Sequence, residues 1–233
     1  MQNQKHLQLI EQFGSKSIIR KLDHFVTPCR KQRIKNVLDS RLNSIHLAIE
    51  APCDINNALA TTRSSEIFGI STVHIINPEG PAGSVKRITQ GAYYWIEVLY
   101  HDDLNAFLQY AAEKKLSLAG GTVQATTPLQ QVPVDQPICF IIGNEQRGLS
   151  AECIAALQHP YSIVMHGMTE SLNLSVSAAI SLFDATNRKR ELLAASGDLT
   201  PSEYQHAQAY YYMQSVNYRL LEHFQQLPDG QSS

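Results

Sequence analysis

The chain has 233 residues, of which 43% are hydrophobic, and a formal net charge of −2 at pH 7. A chain of this length can bury a sizeable core without disulfides or metal ions. Its four cysteines form no CxxC pair, its amino terminus lacks the apolar segment of a secretory signal, and no apolar run approaches the roughly 20 residues that span a bilayer. These features exclude a disulfide scaffold, give no membrane partner, and predict a reduced, cytoplasmic protein.

Positive charge is concentrated near the amino terminus. Residues 1–50 contain nine Lys or Arg and four Asp or Glu, whereas the remainder contains ten and seventeen. Within 27–42, Thr27 as amino-terminal cap, Pro28 in the first turn and a stripe of apolar residues predict an amphipathic helix. Such a basic helix either is solvated and packed on the body of the protein or contacts nucleic acid. The cations of this segment that we expect to contact RNA are Arg30, Lys31, Arg33, Lys35 and Arg41.

From residue 44 the chain alternates between short apolar runs and helical stretches. Runs such as SIHLAIE, ICFIIG and YSIVMHG have strand character, and stretches between them, such as 102–115, have helix character. This alternation predicts an α/β fold with a mainly parallel sheet. The interval 77–94 is rich in Gly and Pro and predicts a loop, and the tail 203–226 predicts a separate amphipathic helix.

Polar residues follow several of these runs, at the edge where a parallel sheet places its ligands. The first such segment, NNALATTRSSEIFG, predicts a helix with Asn57 in its first turn and Arg63 on the helix proper. Taken alone, Arg63 is explained by an ion pair with Glu66, one turn later.

The stretch FIIGNEQRGLS changes from an apolar strand into a tight polar turn. Gly143 and Gly148 allow the backbone to turn, and Ser150 can cap the helix that follows. The stretch lacks both the Lys-Ser/Thr ending of a P-loop and the GxGxxG pattern, so neither nucleotide-binding fingerprint fits. Glu145 is then either an ordinary solvated charge on a turn or a carboxylate at the edge of a ligand site.

The third segment, IVMHGMTESLNLSVSAAISLF, predicts a strand, a glycine turn and a helix rich in small residues. Small residues permit the close approach of a partner helix, or of a ligand at the helix amino terminus. Asn173 lies in the first turn of this helix, where capping alone would explain it.

Together, the order and spacing of these three segments resemble the motifs of the SPOUT methyltransferases, in the SpoU/TrmH class of RNA ribose 2′-O-methyltransferases. The resemblance covers about residues 45–190 and implies a deep trefoil knot, S-adenosylmethionine as cofactor, no metal, and a homodimer. The catalytic positions that it matches are Arg63, Asn57, Glu145, Ser171 and Asn173. The cofactor-binding positions that it matches are Thr122, Gly143, Asn144, Met165 and Leu172.

The family assigns activation of the ribose hydroxyl to the arginine that matches Arg63. Because a guanidinium pKa lies above ~12, we expect Arg63 to orient a phosphate and the ribose rather than to accept a proton.

The flanking helices resemble the branch that methylates tRNA guanosine, and this similarity predicts a tRNA partner. It divides the chain into a basic amino-terminal extension (1–43), the methyltransferase core (44–195) and a carboxy-terminal helical extension (196–233). Arg188 and Lys189 lie near positions that the branch uses for RNA. Two alternatives stay open: a ribose methyltransferase for ribosomal RNA or another tRNA position, and an RNA-binding protein that has lost catalysis.

Overall fold

The computed structural model describes residues 2–78, 91–169 and 171–226, and the chain falls into two compact units. One unit is Leu42–Ser196, and the other combines Met1–Arg41 with Gly197–Ser233. Residues 79–90 of the predicted loop 77–94 lie outside the described residues. Among the described helices, none combines the length and the apolar character needed to cross a bilayer.

The unit Leu42–Ser196 is built on a six-stranded parallel sheet. The strands are β1 (Ile45–Glu50), β2 (Thr72–Ile76), β3 (Glu97–His101), β4 (Ser117–Gly121), β5 (Ile138–Ile142) and β6 (His159–Tyr161). Their order is β3-β2-β1-β5-β4-β6, and neighbouring strands are parallel. The prediction of an α/β fold with a mainly parallel sheet is confirmed, and the implied knot stays a prediction.

Helices cover both faces of the sheet, because side chains along a strand point alternately to either side. Leu47 and Ile49 of β1 pack into one core, whereas Ala48 packs with Phe107 in the other. The helices of this unit in the described residues are α4 (Ile55–Ile67), α5 (Leu104–Glu113), α6 (Ala151–Ala156) and α7 (Leu174–Leu193).

Each of these helices begins at a polar residue whose side chain accepts a hydrogen bond from a backbone N–H of the first turn. Such a cap satisfies a donor that the helix itself leaves unpaired. The caps are Asp54, Asp103, Ser150 and Asn173. The loops that leave the sheet are therefore fixed at their helix ends.

The predicted strand YSIVMHG is wrong beyond its start. β6 ends at Tyr161, and residues 163–166 have irregular backbone. Val164 is 62% exposed, so the apolar run does not reflect burial in the sheet. This irregular segment instead contributes to the cavity described below.

Three histidines on neighbouring strands form a hydrogen-bonded chain. His46 contacts the carbonyl of Asn43 through Nε2 at 3.1 Å, and its Nδ1 lies 2.9 Å from His74 Nε2. Nδ1 of His74 lies 3.0 Å from His101 Nε2. A carbonyl only accepts, so His46 donates from Nε2, His74 donates to His46, and His101 donates to His74. Burial and the two neighbouring imidazoles lower the pKa of the fully buried His74 to about 2.

The unit formed by the two chain ends is helical. Its helices in the described residues are α1 (Gln2–Phe13), α2 (Ser15–Leu22), α3 (Pro28–Leu38), α8 (Pro201–Ser215) and α9 (Tyr218–Glu222). The predicted tail helix 203–226 is interrupted at Val216 and Asn217, where α8 ends and Asn217 caps α9. Because α8 packs on α1, α2 and α3, segments expected as two separate extensions share one core.

Candidate active site

A cavity of about 430 Å³ lies beside the carboxyl ends of β4, β5 and β6. This edge is where open parallel sheets bind ligands. Three parts of the chain supply most of the lining: 121–124 after β4, 142–149 after β5, and a third set before and at the start of α7, namely Ile163, Met165, Ser171, Leu172, Leu174 and Ser177. The lining includes all the residues predicted to bind the cofactor, namely Thr122, Gly143, Asn144, Met165 and Leu172.

The segment after β5 is a tight turn closed on itself. Asn144 N–H donates to the carbonyl of Gly148 at 3.0 Å, and Gly148 N–H donates back at 2.9 Å. Gly148 has φ +70°, a conformation that favours glycine. A side chain at Gly143 would meet the backbone of Gly148 and Leu149. The spacing of the two glycines is therefore required by the turn itself.

Glu145 is bound by the connection between β1 and α4. Its carboxylate accepts from the Asn57 amide at 3.2 Å and from the backbone N–H of Cys53 at 3.1 Å. Asn144 donates to the carbonyl of Ala51 at 2.6 Å. The structure thus brings together the predicted Asn57 and Glu145, and it fixes their carboxylate and amide at the cavity edge.

The start of α7 contains the other predicted residues of this motif. Ser171 lines the cavity and is exposed. Asn173 caps the helix, accepting from Ser175 N–H at 2.9 Å and from the Ser175 hydroxyl at 2.6 Å. Asn173 therefore has a structural task that would explain it without chemistry.

Arg63 lies in a second groove, between α4 and α7. Its side chain is exposed, and the groove residues around it include Ser175, Val176, Ile180 and Phe183 of α7. Leu174 and Ser177, in the same two turns of α7, line the cavity instead. Within a single chain, the amino-terminal turns of α7 thus separate Arg63 from the cavity. The predicted catalytic residues are therefore divided, with Glu145 and Ser171 at the cavity and Arg63 in the groove.

The cations of α3 are exposed to the extent that a surface for RNA would require. Arg30, Arg33 and Lys35 are exposed, and Lys31 is partly exposed. Lys31 and Lys35 form ion pairs with the carboxylates of Asp23 and Asp39, each at 2.5 Å. Exposed pairs of this kind contribute little stability and can exchange partners.

The prediction that Arg41 contacts RNA is wrong. Arg41 follows the end of α3, is 2% exposed, and donates to the Tyr211 hydroxyl from Nε at 3.1 Å and from Nη2 at 2.7 Å. Its charge is held inside the helical unit.

The two cations predicted on α7 both bind backbone carbonyls. Arg188 donates to the Asp184 carboxylate at 2.8 Å and to the carbonyl of Val132 at 2.7 Å. Lys189 is 4% exposed and donates to the carbonyl of Asp135 at 3.1 Å. Both side chains hold the β4–β5 connection to α7. The burial of Lys189 disagrees with its prediction as an RNA contact, whereas for Arg188, whose side chain is 25% exposed, the RNA contact stays a prediction.

Two contributors to the site escaped the sequence analysis. Cys53 supplies the backbone N–H that binds Glu145, and Glu50 binds Ser150 through two hydrogen bonds. The sequence contained a feature that could have predicted the role of Glu50, because Glu50 is the only carboxylate in its strand and lies at the strand's carboxyl end. The backbone N–H of Cys53 had no such feature.

Comparison with known proteins identifies the family. A model of the SpoU rRNA methylase family matches residues 44–183. The chain belongs to this family. One relative is the tRNA (guanosine(18)-2'-O)-methyltransferase of Borreliella burgdorferi. It is 29% identical to this SpoU family member, over 86% of this chain and 93% of the relative's length.

Solved SpoU-type structures share the fold. The TrmH/SpoU tRNA modifying enzyme of A. aeolicus has a TM-score of 0.71 at 23% identity, covering 81% of this chain and 98% of its own. The AdoMet-bound rRNA methyltransferase of Sinorhizobium meliloti has a TM-score of 0.59 at 20% identity, covering 65% and 60%.

Proposed function

We propose that this SpoU family protein transfers a methyl group from S-adenosylmethionine to a ribose 2′-hydroxyl of tRNA. The observation that carries the proposal is the cavity at the ends of β4 and β5, walled by the glycine turn 143–148 and the start of α7. These are the segments in which the family motifs lie.

The cavity residues fit the cofactor. The volume falls within the range of about 300–1,000 Å³ that small-molecule sites occupy. Its walls combine apolar side chains, such as Met165 and Leu172, with backbone groups of Gly143 and Asn144. A turn that excludes a side chain at Gly143 brings backbone polar groups close to a ligand. Thr122 would complete this wall from the loop after β4.

When bound, S-adenosylmethionine supplies an activated methyl group on a sulfonium. This methyl group would go to the ribose 2′-oxygen of the RNA, leaving S-adenosylhomocysteine, and the hydroxyl proton would pass to an RNA phosphate oxygen. Arg63 holds that phosphate and the ribose, since a guanidinium group can bind phosphate in a bidentate manner. Such alignment lowers the barrier by fixing the reacting groups.

Glu145 has a positioning task in this scheme. Because it accepts from both Asn57 and Cys53, it joins the glycine turn to the helix that carries Arg63. Ser171 lies at the cavity wall, where its hydroxyl would face the ribose or the cofactor. Asn173 holds the first turn of α7, between the cavity and the Arg63 groove.

A homodimer would bring the divided set together. The groove that contains Arg63 is bordered by Val176, Ile180 and Phe183, which are 43%, 37% and 58% exposed in the single chain. An apolar strip this exposed is typical of an interaction surface. A second copy seated on it would place one protomer's Arg63 near the partner's cavity and would bury the strip.

The substrate is assigned to tRNA on two supports. The B. burgdorferi relative, named for tRNA guanosine 18, aligns along 86% of this chain. The exposed cations of α3 add a surface suited to phosphates. We also propose a cytoplasmic location, which a tRNA substrate supports.

Mass spectrometry of nucleosides tests the proposal. Purified protein, S-adenosylmethionine and unmodified tRNA should yield one 2′-O-methylguanosine, and tRNA from a deletion strain should lack it. The arginine variant Arg63→Ala serves as the inactive control. Methylation of ribosomal RNA alone would refute the tRNA assignment, and cofactor binding without transfer to either RNA would favour a non-catalytic RNA-binding protein.

A further inference from the structure

Glu50, the last residue of β1, is a buried carboxylate at the edge of the active site. It is 6% exposed. It accepts from the backbone N–H of Ser150 at 2.9 Å and from the Ser150 hydroxyl at 2.6 Å. Burying a carboxylate is costly unless hydrogen bonds replace water, and here one residue supplies two of them.

Ser150 stands where the glycine turn ends and α6 begins. Its Oγ accepts from the N–H of Cys153 at 3.1 Å while its hydroxyl proton goes to Glu50. A hydroxyl has one proton to donate, so this pair of bonds fixes its orientation. Glu50 thereby sets both the backbone and the side chain of the residue that closes the turn.

The opposite end of the turn is tied to the same connection. Asn144 donates to the carbonyl of Ala51, and Glu145 accepts from the N–H of Cys53. Residues 50–53 therefore hold both ends of the segment 144–150. Between these anchors, residues 146–149 line the cavity.

We propose that Glu50 is a positioning residue that holds the segment 144–150 in the shape that binds S-adenosylmethionine. The inference rests on the proposed function for its ligand, and on the two hydrogen bonds to Ser150 for its mechanism. Glu50 acts through Ser150 and does not contact the cofactor.

A glutamine cannot replace the carboxylate fully. Its carbonyl oxygen can still accept from the Ser150 N–H, but its amide nitrogen only donates. The Ser150 hydroxyl proton then loses its acceptor, although the size of the side chain is unchanged. Glu50→Gln is therefore a probe of the hydrogen bond with little change in packing.

The experiment compares Glu50→Gln with Glu152→Gln, which removes an exposed carboxylate from the first turn of α6. Hydrogen–deuterium exchange of the ligand-free protein reports the order of residues 144–153, and calorimetry reports cofactor affinity. In Glu50→Gln we expect faster exchange in this segment and an S-adenosylmethionine Kd raised about tenfold, the effect of one lost charged hydrogen bond. Glu152→Gln should match the wild type in both.

Ser150→Ala provides a second route, because it removes the hydroxyl while keeping the carboxylate. It also removes the cap of α6, so its decisive readout is cofactor affinity: if Glu50→Gln fails to fold, wild-type affinity in Ser150→Ala would overturn the proposal. The double variant should bind S-adenosylmethionine no more weakly than whichever single variant binds it less tightly. Both substitutions remove the same hydrogen bond, between the Ser150 hydroxyl and the Glu50 carboxylate, so their effects should not add. Unchanged exchange in Glu50→Gln, or faster exchange with wild-type affinity, would overturn the proposal. Wild-type protein that does not bind the cofactor would instead refute the proposed function, and exchange alone would then decide whether Glu50 orders the turn.

Discussion

The turn leaves no space for a side chain at Gly143, since a Cβ there would meet backbone atoms of Gly148 and Leu149. We expect Gly143→Ala to lower the free energy of unfolding by about 1–3 kcal/mol, as overpacking does, and to weaken cofactor binding. Gly167→Ala is the matched control, because the space around Gly167 is open. Urea unfolding and calorimetry measure the two effects, and an alanine variant with wild-type affinity would contradict this view of the turn.

Arg63 is the residue on which the proposed chemistry depends. Arg63→Ala should reduce methyl transfer by at least about a hundredfold, the usual effect of losing a group that aligns the reactants. Cofactor affinity should stay near the wild-type value, because Arg63 is assigned to the phosphate and the ribose and not to the cofactor. Single-turnover kinetics with tRNA measure the first quantity and calorimetry the second.

Two companion variants sharpen that test. Arg63→Lys keeps the charge but loses the bidentate geometry, so it should recover only part of the activity. Asn56→Ala, an exposed position on the same helix, should be fully active. Nearly normal turnover in Arg63→Ala would favour the simple helical ion pair and remove Arg63 from the mechanism.

At the scale of elements, α3 should supply affinity for RNA without taking part in chemistry. Replacing Arg30 and Arg33 by alanine should weaken tRNA binding and flatten its salt dependence, by roughly 0.7 to 0.9 in slope per lost phosphate contact. The matched variant, Gln32→Ala with Asn36→Ala, changes the same helix without changing charge. Titrations at several salt concentrations that give equal slopes for both variants would make α3 purely structural.

The histidine chain ties three strands together and makes the sheet sensitive to acid. The folded pKa of His74 lies far below its ordinary value of 6.5, so the unfolded chain gains a proton that the fold excludes as pH falls below 6.5. The contribution of His74 to the free energy of unfolding is therefore fully present above this pH. We expect it to decline toward pH 2, by up to ~1.4 kcal/mol per pH unit for one histidine.

Substitution isolates that contribution from the titrating carboxylates. His74→Phe should be less stable than wild type at pH 7.5, because His46 and His101 lose a partner, yet its stability should depend less on pH between 6 and 4. His166→Phe, at an exposed site, controls for the change of residue type. Urea unfolding across this pH range measures how steeply the free energy of unfolding changes with pH. Equal slopes in wild type and His74→Phe would show that His74 takes up a proton in the folded protein and would contradict this prediction.

At the scale of the whole molecule, activity should require two copies of the chain. Ile180→Asp with Phe183→Asp places charge on the exposed strip of α7, and we expect a monomer without methyl transfer that still folds. Leu192→Asp is a matched control on the same helix, because Leu192 is 59% exposed and lies about half a turn round from Phe183. Analytical ultracentrifugation together with activity measurements checks this, and a fully active monomer would refute the shared site.

Much of the fold and part of the site were predictable from local sequence. Alternating apolar runs gave the parallel α/β sheet, and Thr27, Ser150 and Asn173 cap helices as their residue types suggested. The glycine turn after β5 was also readable, because tight turns restrict which residues can occupy them. These features depend on neighbours within a few positions, so the sequence by itself determined them.

Contacts between distant segments were decided only by the tertiary structure. Arg188 and Lys189 looked like surface cations, but carbonyls more than 50 residues away bind them. Glu50 and Ser150 are 100 residues apart, and Asn57 and Glu145 are 88 apart. The order of the strands sets which loops meet, and charge or periodicity in one segment carries no record of that order. The candidate site residues could therefore be predicted from the motifs, whereas their division between a cavity and a separate groove depends on the packing of α7 on α4.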